Sequence, residues 1–566
     1  MRTDTTPWLD LHRLSPTAAA WRLAFIVAVV AVTSPASFRA QTTEPPHVHP
    51  AAEKLGTVSF PNSGAAAAQP DFLRGLALLH NFEYGDAARA FRSAEQRDPS
   101  FAIAYWLDAM TYSHMLWSEE DLTGARAVLA RLGPTSAARL SKAGTPRERA
   151  YGAAVEAFLA PVDARTRARA FADSMRHLAE AYPEDLEAHA FTALAIMLAA
   201  DNAESRDESN RLYLEAASQA DRVFREQPQH PGAAHYLIHA YDDPARAING
   251  LEAARAYARI APSAEHAQHM PSHIFVQLGL WDDAARSNEQ AWVSSRLEVS
   301  GQHAPAAALG FHTLNWLQYA YLQQGRYSAA RALIDTARTV LAGAVLRSFD
   351  RPDARYAVSQ LQFRYMRETG DWNAWPVAQM DTNELHLPQG SSERAQSMAT
   401  NHVFETAIIL AMRGDTVPLA TVTRRMHDQL DRRGTRPTTA GRARLATFDA
   451  LLARARGDRE SAISLLQSAE AAADSSPPIG PPHLLLLHEQ LGSMLSEAGR
   501  FGDAAAAYTR GLALTPNRAS ALIGLAGAEQ HLGNTSAADD AYARLRRNWT
   551  PADPKLKAMA AGGRSR

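Results

Sequence analysis

A spacing of 34 residues recurs along this chain, and it restricts the possible folds more than any other feature of the sequence. Gly499 and Gly533, Ala504 and Ala538, and Tyr508 and Tyr542 are each 34 residues apart. One set of offsets within the repeat is also shared between two distant segments, by Gly75, Ala87, Phe91, Ala94 and Pro99 and by Gly492, Ala504, Tyr508, Gly511 and Pro516. Small residues let two antiparallel helices approach closely, an aromatic ring fills the space beside them, and proline ends the second helix. Because one such hairpin cannot bury its apolar face alone, we expect neighbouring hairpins to stack into a superhelix.

This pattern of glycine, alanine, aromatic, alanine and proline resembles that of the tetratricopeptide repeat (TPR) family. The resemblance implies an all-α fold, namely a TPR-type superhelix of helical hairpins (an α-solenoid), with a concave groove where ligands bind. Three strings are similar to those of a group of exported bacterial TPR proteins: residues 80–84 (HNFEY), 235–242 (HYLIHAYD) and 266–275 (HAQHMPSHIF). That similarity implies the fold and export, and it indicates no particular chemistry.

The first residues have the composition of an export signal. Arg2, Arg13 and Arg22 precede the apolar run 23–32, and small residues follow it. A run of about ten apolar residues is too short to span a bilayer, and it is typical of a cleaved signal peptide. We therefore predict a signal peptide at 1–36, a periplasmic or secreted location, and no membrane span in the mature chain.

Proline-rich stretches and interruptions of the repeat divide the remaining chain. The predicted segments are a flexible linker (37–69), an N-terminal TPR-like array with a histidine-lined groove (70–340), divergent helical repeats (341–471), a proline-rich joint (472–482), a C-terminal TPR pair (483–548) and a tail (549–566).

Charge and cysteine content exclude several classes of function. The 566 residues carry a formal net charge of −2, whereas proteins that neutralise nucleic-acid phosphates are usually basic, so we expect no nucleic-acid partner. The chain has no cysteine, which excludes disulfides, thiolate metal sites and cysteine nucleophiles. Any metal must therefore be bound by histidine and carboxylate. There are 21 histidines.

Some of these histidines follow the 34-residue spacing. His235 and His269 are one period apart, and so are His239 and His273. Residues i and i+4 share a helix face, and stacked hairpins lie about 8–10 Å apart, so four imidazoles are predicted to face a common space. Asp242 and His266 are predicted to join them. The TPR resemblance adds groove-lining side chains, namely His80, His114 and Tyr241.

Pro271 lies between His269 and His273, where a continuous helix would need its missing N–H group. Either a helix begins near Pro271, or a longer helix is kinked there. In the first case His266 and His269 belong to the preceding turn, and the directions of their rings do not follow from the spacing.

Two functions remain open from the sequence. The first is an exported TPR scaffold that binds a protein or peptide in the histidine-lined groove, with or without a structural metal; the sequence leaves its enzymatic status open and favours a role without catalysis. The alternative is a metal-binding protein or metal-dependent enzyme in which zinc, copper or iron is held by His235, His239, His269 and His273 with Asp242 and His266. No catalytic residue is identified, and the chain has no HExxH, Walker or GxSxG motif.

Overall fold

The computed structural model describes residues 53–117, 119–301, 304–342, 352–376, 393–432, 439–473 and 486–561. The predicted signal peptide, residues 37–52 of the predicted linker and residues 474–482 of the proline-rich joint lie outside the described residues. Within the described ranges, no helix combines the length and apolar character that crossing a membrane requires.

The described residues form an all-α, TPR-like array of antiparallel helical hairpins, which confirms the predicted fold class. Up to residue 260 its helices are α1 (Gln69–His80), α2 (Tyr84–Arg97), α3 (Ala102–Met110), α4 (Leu122–Leu132), α5 (Ser136–Leu140), α6 (Pro146–Phe158), α7 (Ala164–Ala181), α8 (Leu186–Asp201), α9 (Arg206–Glu226), α10 (Pro231–Ala240) and α11 (Leu251–Ile260). Strands β1 (Ser113–His114) and β2 (Glu119–Glu120) form a small antiparallel pair between α3 and α4.

The array continues through two further groups of helices. The central group is α12 (Glu265–His269), α13 (Pro271–Gln277), α14 (Trp281–Gly301), α15 (Phe311–Gln323), α16 (Tyr327–Val340), α17 (Pro352–Thr369), α18 (Glu393–Arg413) and α19 (Thr416–Arg432). The C-terminal group is α20 (Thr439–Ala455), α21 (Arg459–Ala473), α22 (Leu487–Glu497), α23 (Phe501–Leu514), α24 (Ala519–His531), α25 (Thr535–Asn548) and α26 (Pro554–Ala561). Short 3₁₀ helices lie at Ala66–Ala68, Met115–Trp117, Ala247–Gly250 and Ala306–Ala308.

Successive helices pack against each other, and helices two apart, such as α8 and α10 or α15 and α17, are also in contact. This is the contact pattern of stacked hairpins. The close approach predicted from the small residues is present, since a Cβ atom placed on Gly75 would lie 2.8 Å from the Phe91 ring. A Cβ atom placed on Gly492 would lie at the same distance from the Tyr508 ring.

Most hairpin turns contain one residue in the left-handed region, where glycine has no steric cost. The turn glycines are Gly279, Gly325, Gly370, Gly414, Gly457, Gly499 and Gly533. Only the last two are 34 residues apart, and the other intervals are longer because helices such as α14 and α18 extend over 21 residues. The strict period therefore describes the final repeats better than the central ones.

The C-terminal group packs against the central hairpins. The Trp281 indole N–H donates to the carbonyl oxygen of Asn517 (3.0 Å), and the backbone N–H of Asp553 donates to that of Gly325 (3.0 Å). Between them the Arg518 guanidinium is buried against the carboxylates of Glu368 (2.8 Å) and Glu489. Residues 549–561, predicted as a tail, instead belong to this packed region.

The part of the predicted linker that the structure describes is also packed. Residues 53–65 contain no helix or strand, yet the backbone N–H of Thr57 donates to the carbonyl oxygen of Gln229 (2.8 Å). The backbone N–H of Ser63 donates to the Glu148 carboxylate (2.7 Å). This segment thereby ties the chain before α1 to α6 and to the turn before α10, the helix that carries two of the histidines discussed below.

Candidate metal centre

Three short helices, α10, α12 and α13, carry five of the six histidines described below, and two of these helices have proline in the first turn. Pro231 begins α10, and Pro271 begins α13 directly after the short helix α12. Proline fits the first helical position because the N–H it lacks would have no partner there. Of the two possibilities raised by Pro271, the structure has the first, a new helix. His266 and His269 therefore lie together on α12.

The first trio consists of His235, His239 and His266. The Nε2 atoms of His239 and His266 lie 3.1 Å and 3.0 Å from Nε2 of His235. His235 is fully buried, and its Nδ1 lies 2.7 Å from the backbone carbonyl oxygen of His80. Because a carbonyl oxygen only accepts, Nδ1 of His235 carries the proton and Nε2 presents its lone pair to the other two rings.

The second trio consists of His269, His273 and His312, and one ring nitrogen from each lies within 4.8 Å of the others. Nδ1 of His269 donates to Oδ1 of Asn288 (2.7 Å), so its Nε2 carries a lone pair. That Nε2 is buried and has no hydrogen-bond partner among the described residues. His312, on α15, is exposed.

Asp242 orients a histidine of the second trio. Its Oδ2 lies 2.6 Å from Nδ1 of His273, and its Oδ1 accepts a hydrogen bond from Nε2 of Gln277 (2.9 Å). Although burial opposes ionisation, the contacts with His273 and Gln277 hold the pKa of Asp242 below its usual range. The ionised carboxylate fixes the proton on Nδ1 of His273, which leaves Nε2 available to a ligand.

Burial also determines the charge of the rings. Desolvation lowers the pKa of His235 and of His269 to about 3 and holds the pKa of His239 and of His266 well below the usual value. Neighbouring imidazoles act in the same direction. These four rings are therefore neutral at physiological pH, and a neutral imidazole is the form that binds metals.

Aromatic rings surround both trios. The Phe82 ring centroid lies 4.3 Å from that of His235, and Trp316 stacks on His273 at 4.2 Å. Trp117 meets His266 edge to face at 5.4 Å. Phe82 has a φ of 58°, which is costly for a bulky residue, and it occupies the turn after α1 where later hairpins have glycine. The strained turn directs the ring of Phe82 against the first trio.

A cavity of about 690 Å³ opens over the two trios. Five of the six rings line it, and His235 lies behind them. Its walls carry both signs of charge, from Asp201, Asp243, Asp353, Arg206, Arg246 and Arg394. The volume is that of a site for a small molecule or a short peptide.

Two half-buried carboxyl groups lie beside the first trio. Oε1 of Glu83 accepts from the backbone N–H of His266 (3.2 Å), and Oε1 of Glu265, in the cavity wall, accepts from the Thr313 hydroxyl (2.7 Å). Burial, reinforced by the nearby Glu298, raises the pKa of Glu83 to about 8 and that of Glu265 to about 7. Each can hold or release a proton near neutral pH.

The predicted groove-lining residues lie elsewhere. His80 is instead fully buried, with Nε2 2.8 Å from the Glu187 carboxylate and Nδ1 2.9 Å from the Tyr236 hydroxyl. His114 stacks on the Tyr84 ring (4.2 Å), next to the cavity wall but not in it. Tyr241 is half-buried and does not contribute to the cavity.

Glu187 joins His80 to a further buried histidine, His230, which makes a third cluster. Nε2 of His230 lies 3.2 Å from Glu187, and its Nδ1 accepts from the backbone N–H of Ala233 (3.1 Å). Every ring nitrogen of this cluster thus has a partner within the protein, and it is a hydrogen-bonded network rather than a ligand site.

The structure brings together the six residues predicted as metal ligands, but it divides their roles. His235, His239 and His266 form the first trio, His269 and His273 belong to the second, and Asp242 orients a ring. Sequence reasoning missed His312, which has no partner at the 34-residue spacing among the other five rings. It also missed Asn288 and Phe82, whose roles depend on contacts between distant segments.

Comparisons with known proteins do not identify a family. No family profile and no curated protein matches the chain. Among solved structures, the APC/C hetero-tetramer Cut9-Hcn1 is similar at 10% identity, over 88% of this chain and 90% of that one, with a TM-score of 0.29. Yeast Tom70 is similar at 11% identity, over 88% and 94% of the two chains, also with a TM-score of 0.29. TM-scores this low do not support a fold assignment, so the description of the fold as TPR-like is based on the helical hairpins of this chain.

Proposed function

We propose that the protein is a metalloprotein in which the first trio holds one transition-metal ion at the floor of the cavity, where the ion acts on a small polar molecule or a short peptide. The observation that carries this proposal is the convergence of two Nε2 atoms on that of His235, at 3.0 and 3.1 Å. Of the two functions left open by the sequence, this favours the metal-dependent one.

The spacing of the nitrogens suits a metal ion. With metal–nitrogen bonds of about 2.0–2.1 Å, two ligands at an octahedral edge are about 3.0 Å apart and two at a tetrahedral edge about 3.4 Å apart. The hydrogen-bonding alternative fits less well. Nε2 of His235 has a single lone pair, whereas two rings approach it. A hydrogen bond from one ring uses that lone pair, and the second ring is then left without a good hydrogen bond to His235.

The protein also prepares the trio for a ligand. The carbonyl oxygen of His80 fixes the proton of His235 on Nδ1, and Phe82 and Trp117 pack around the rings. Supporting contacts of this kind orient metal-binding imidazoles. Three imidazoles suit zinc or copper and leave a coordination position open, and an ion bound there supplies Lewis-acid or redox chemistry.

Metal content tests the proposal directly. The mature chain, purified without a histidine tag, is expected to contain zinc or copper in stoichiometric amount by mass spectrometry. His239→Ala should remove at least one equivalent, whereas His177→Ala, at an exposed histidine outside the cavity, should keep the wild-type content. Metal-free wild-type protein that also fails to take up zinc or copper would contradict the proposal.

Binding of a peptide partner remains as a second candidate, and the charged walls of the cavity favour it. A short peptide fits the volume, and carboxylates and guanidinium groups on the walls can pair with its termini and side chains. Calorimetric titration of short peptides into metal-free protein separates the two candidates, since binding of equal strength without metal would favour a scaffold.

We also propose that the protein acts outside the cytoplasm. The composition of residues 1–36, with arginines before a short apolar run and small residues after it, supports this. Fractionation of cells that express the full chain, with sequencing of the N-terminus, is expected to find it in the periplasm or medium, shortened near residue 36. Full-length protein in the cytoplasm would contradict export.

A further inference from the structure

We propose that the second trio, His269, His273 and His312, binds a second transition-metal ion, so that the cavity floor carries a dinuclear centre. This rests on the proposed function and extends it, because the first trio is taken to hold the other ion. The observation behind it is that two sets of three imidazoles, contributed by four helices, lie side by side, and five of the six rings line one cavity.

Two rings of the second trio are oriented by partners that are themselves fixed. Asn288 presents Oδ1 to His269 because its Nδ2 donates to the carbonyl oxygen of Ala284 (2.8 Å). Asp242 presents Oδ2 to His273, while Gln277 occupies its other oxygen. A carboxylate or amide oxygen bound to the far nitrogen of an imidazole is the usual support of a metal-binding histidine.

Nε2 of His269 provides an independent indication of a ligand. His269 is only 2% exposed, and this nitrogen has no hydrogen-bond partner among the described residues. Leaving a buried acceptor unsatisfied costs stability. A cation bound by Nε2 would remove that cost. The ring centroid of His312 lies 4.8 Å from that of His269, at the side of the trio that is open to solvent.

The two trios border each other. The ring centroids of His239 and His273 are 6.1 Å apart, and those of His266 and His269 are 6.2 Å apart. Both trios contribute rings to the same cavity. One small molecule in the cavity can therefore contact both ions, as in two-metal enzymes, where one ion binds the attacked group and the other the attacking or leaving group.

The donor set limits the ions. Six imidazoles without a carboxylate ligand suit zinc and copper, whereas magnesium and calcium prefer oxygen ligands. The inference is therefore a pair of zinc or copper ions, each with three imidazole ligands.

Metal stoichiometry of matched variants tests the inference. Metal-free mature protein is titrated with Zn²⁺ and, separately, with Cu²⁺, and the bound metal is counted after gel filtration. Wild type and His177→Ala should bind two equivalents. His312→Ala and His239→Ala should each bind one, and the double variant none. His312 is exposed, so His312→Ala should fold, and circular dichroism together with His312→Gln checks this.

The outcomes separate this inference from the proposed function. If wild type binds one equivalent that His239→Ala loses and His312→Ala keeps, the second site is overturned and the first stands. If His239→Ala binds as much metal as wild type, the first site is overturned. If wild type binds no metal, both are overturned.

Discussion

Replacing Asp242 by asparagine tests how the protein prepares the second trio. Nε2 of Gln277 donates to Oδ1 of Asp242, and an asparagine that keeps this bond must turn its NH₂ group towards Nδ1 of His273. Nδ1 must then accept rather than donate, which moves the imidazole proton to Nε2. A protonated Nε2 cannot bind a metal, so the substitution removes a ligand without removing a histidine.

The expected loss follows from the contacts. Disturbing the support of a metal-binding histidine typically costs 10–100-fold in affinity, or about 1.4–2.7 kcal/mol. We expect Asp242→Asn to lower the affinity of the second trio for its metal ion by this factor. The first equivalent should change little, because the backbone carbonyl of His80 sets the proton of His235.

The assay is a competition titration with a chromophoric zinc chelator, which resolves the two equivalents. Asp243→Asn is the matched control, since the Asp243 carboxylate accepts from the backbone N–H of Ala245 (2.9 Å), lies 3.7 Å from the Arg246 guanidinium and, among the described residues, contacts no histidine of either trio. Equal affinities of wild type and Asp242→Asn for both equivalents would refute the reasoning. If Asp242→Asn weakened only the metal equivalent that His239→Ala removes, Asp242 would support the first trio and not the second.

Other perturbations test the fold and its electrostatics. Phe82→Gly relieves about 1–2 kcal/mol of backbone strain but removes a buried ring, so we expect a net destabilisation of about 2 kcal/mol by chemical denaturation, and weaker binding of the first metal equivalent. Burial opposes ionisation of Glu368, yet two neighbouring arginines outweigh it and hold its pKa at about 2. Because the pKa of Glu368 is lower in the folded chain than in the unfolded chain, where it is near 4.5, the ionised carboxylate stabilises the fold by about 3 kcal/mol at pH values above 4.5. The difference in free energy of unfolding between wild type and Glu368→Gln should therefore decrease as pH falls from about 4.5 towards 2. A difference that does not change with pH would contradict this. Gly75→Ala places a methyl group 2.8 Å from the Phe91 ring and should destabilise by about 1–3 kcal/mol, whereas Gly502→Ala, in open space on a helix, should stabilise by up to about 1 kcal/mol in the same unfolding assay.

The repeat pattern was sufficient to predict the class of fold, because small residues and aromatic rings at fixed offsets specify how two helices pack. Gly75 against Phe91 and Gly492 against Tyr508 show this contact directly. The pattern did not predict the longer central hairpins, because extra helical turns do not alter the residues at the turns. The tail predicted at 549–566 was also wrong for its first part, where the backbone of Asp553 is hydrogen-bonded to Gly325 in the central hairpins.

The spacing predicted that four histidines, His235, His239, His269 and His273, face a common space, but it did not predict how the rings divide into trios. Which nitrogen of a ring is free depends on its hydrogen-bond partner, and those partners are distant in sequence. His235 is fixed by the carbonyl of His80, 155 residues away, and His273 by Asp242, 31 residues away. Asp242 was predicted as a ligand because it shares a helix face with His235. Only the folded chain shows that it contacts an imidazole instead.

The turn that follows α1 has a consequence for the order of folding. Its residues 80–83 contact His235 through the carbonyl of His80 and the ring of Phe82, and contact His266 through the Glu83 carboxylate. Contacts between segments so far apart in sequence form late. A growing chain has made this turn long before α12 and α15 exist, so the cavity floor is completed only after the ribosome has passed residue 312. Loading of an ion into the second trio then requires synthesis at least through residue 312, and a chain truncated before α15 should retain its early hairpins and lack the complete cavity.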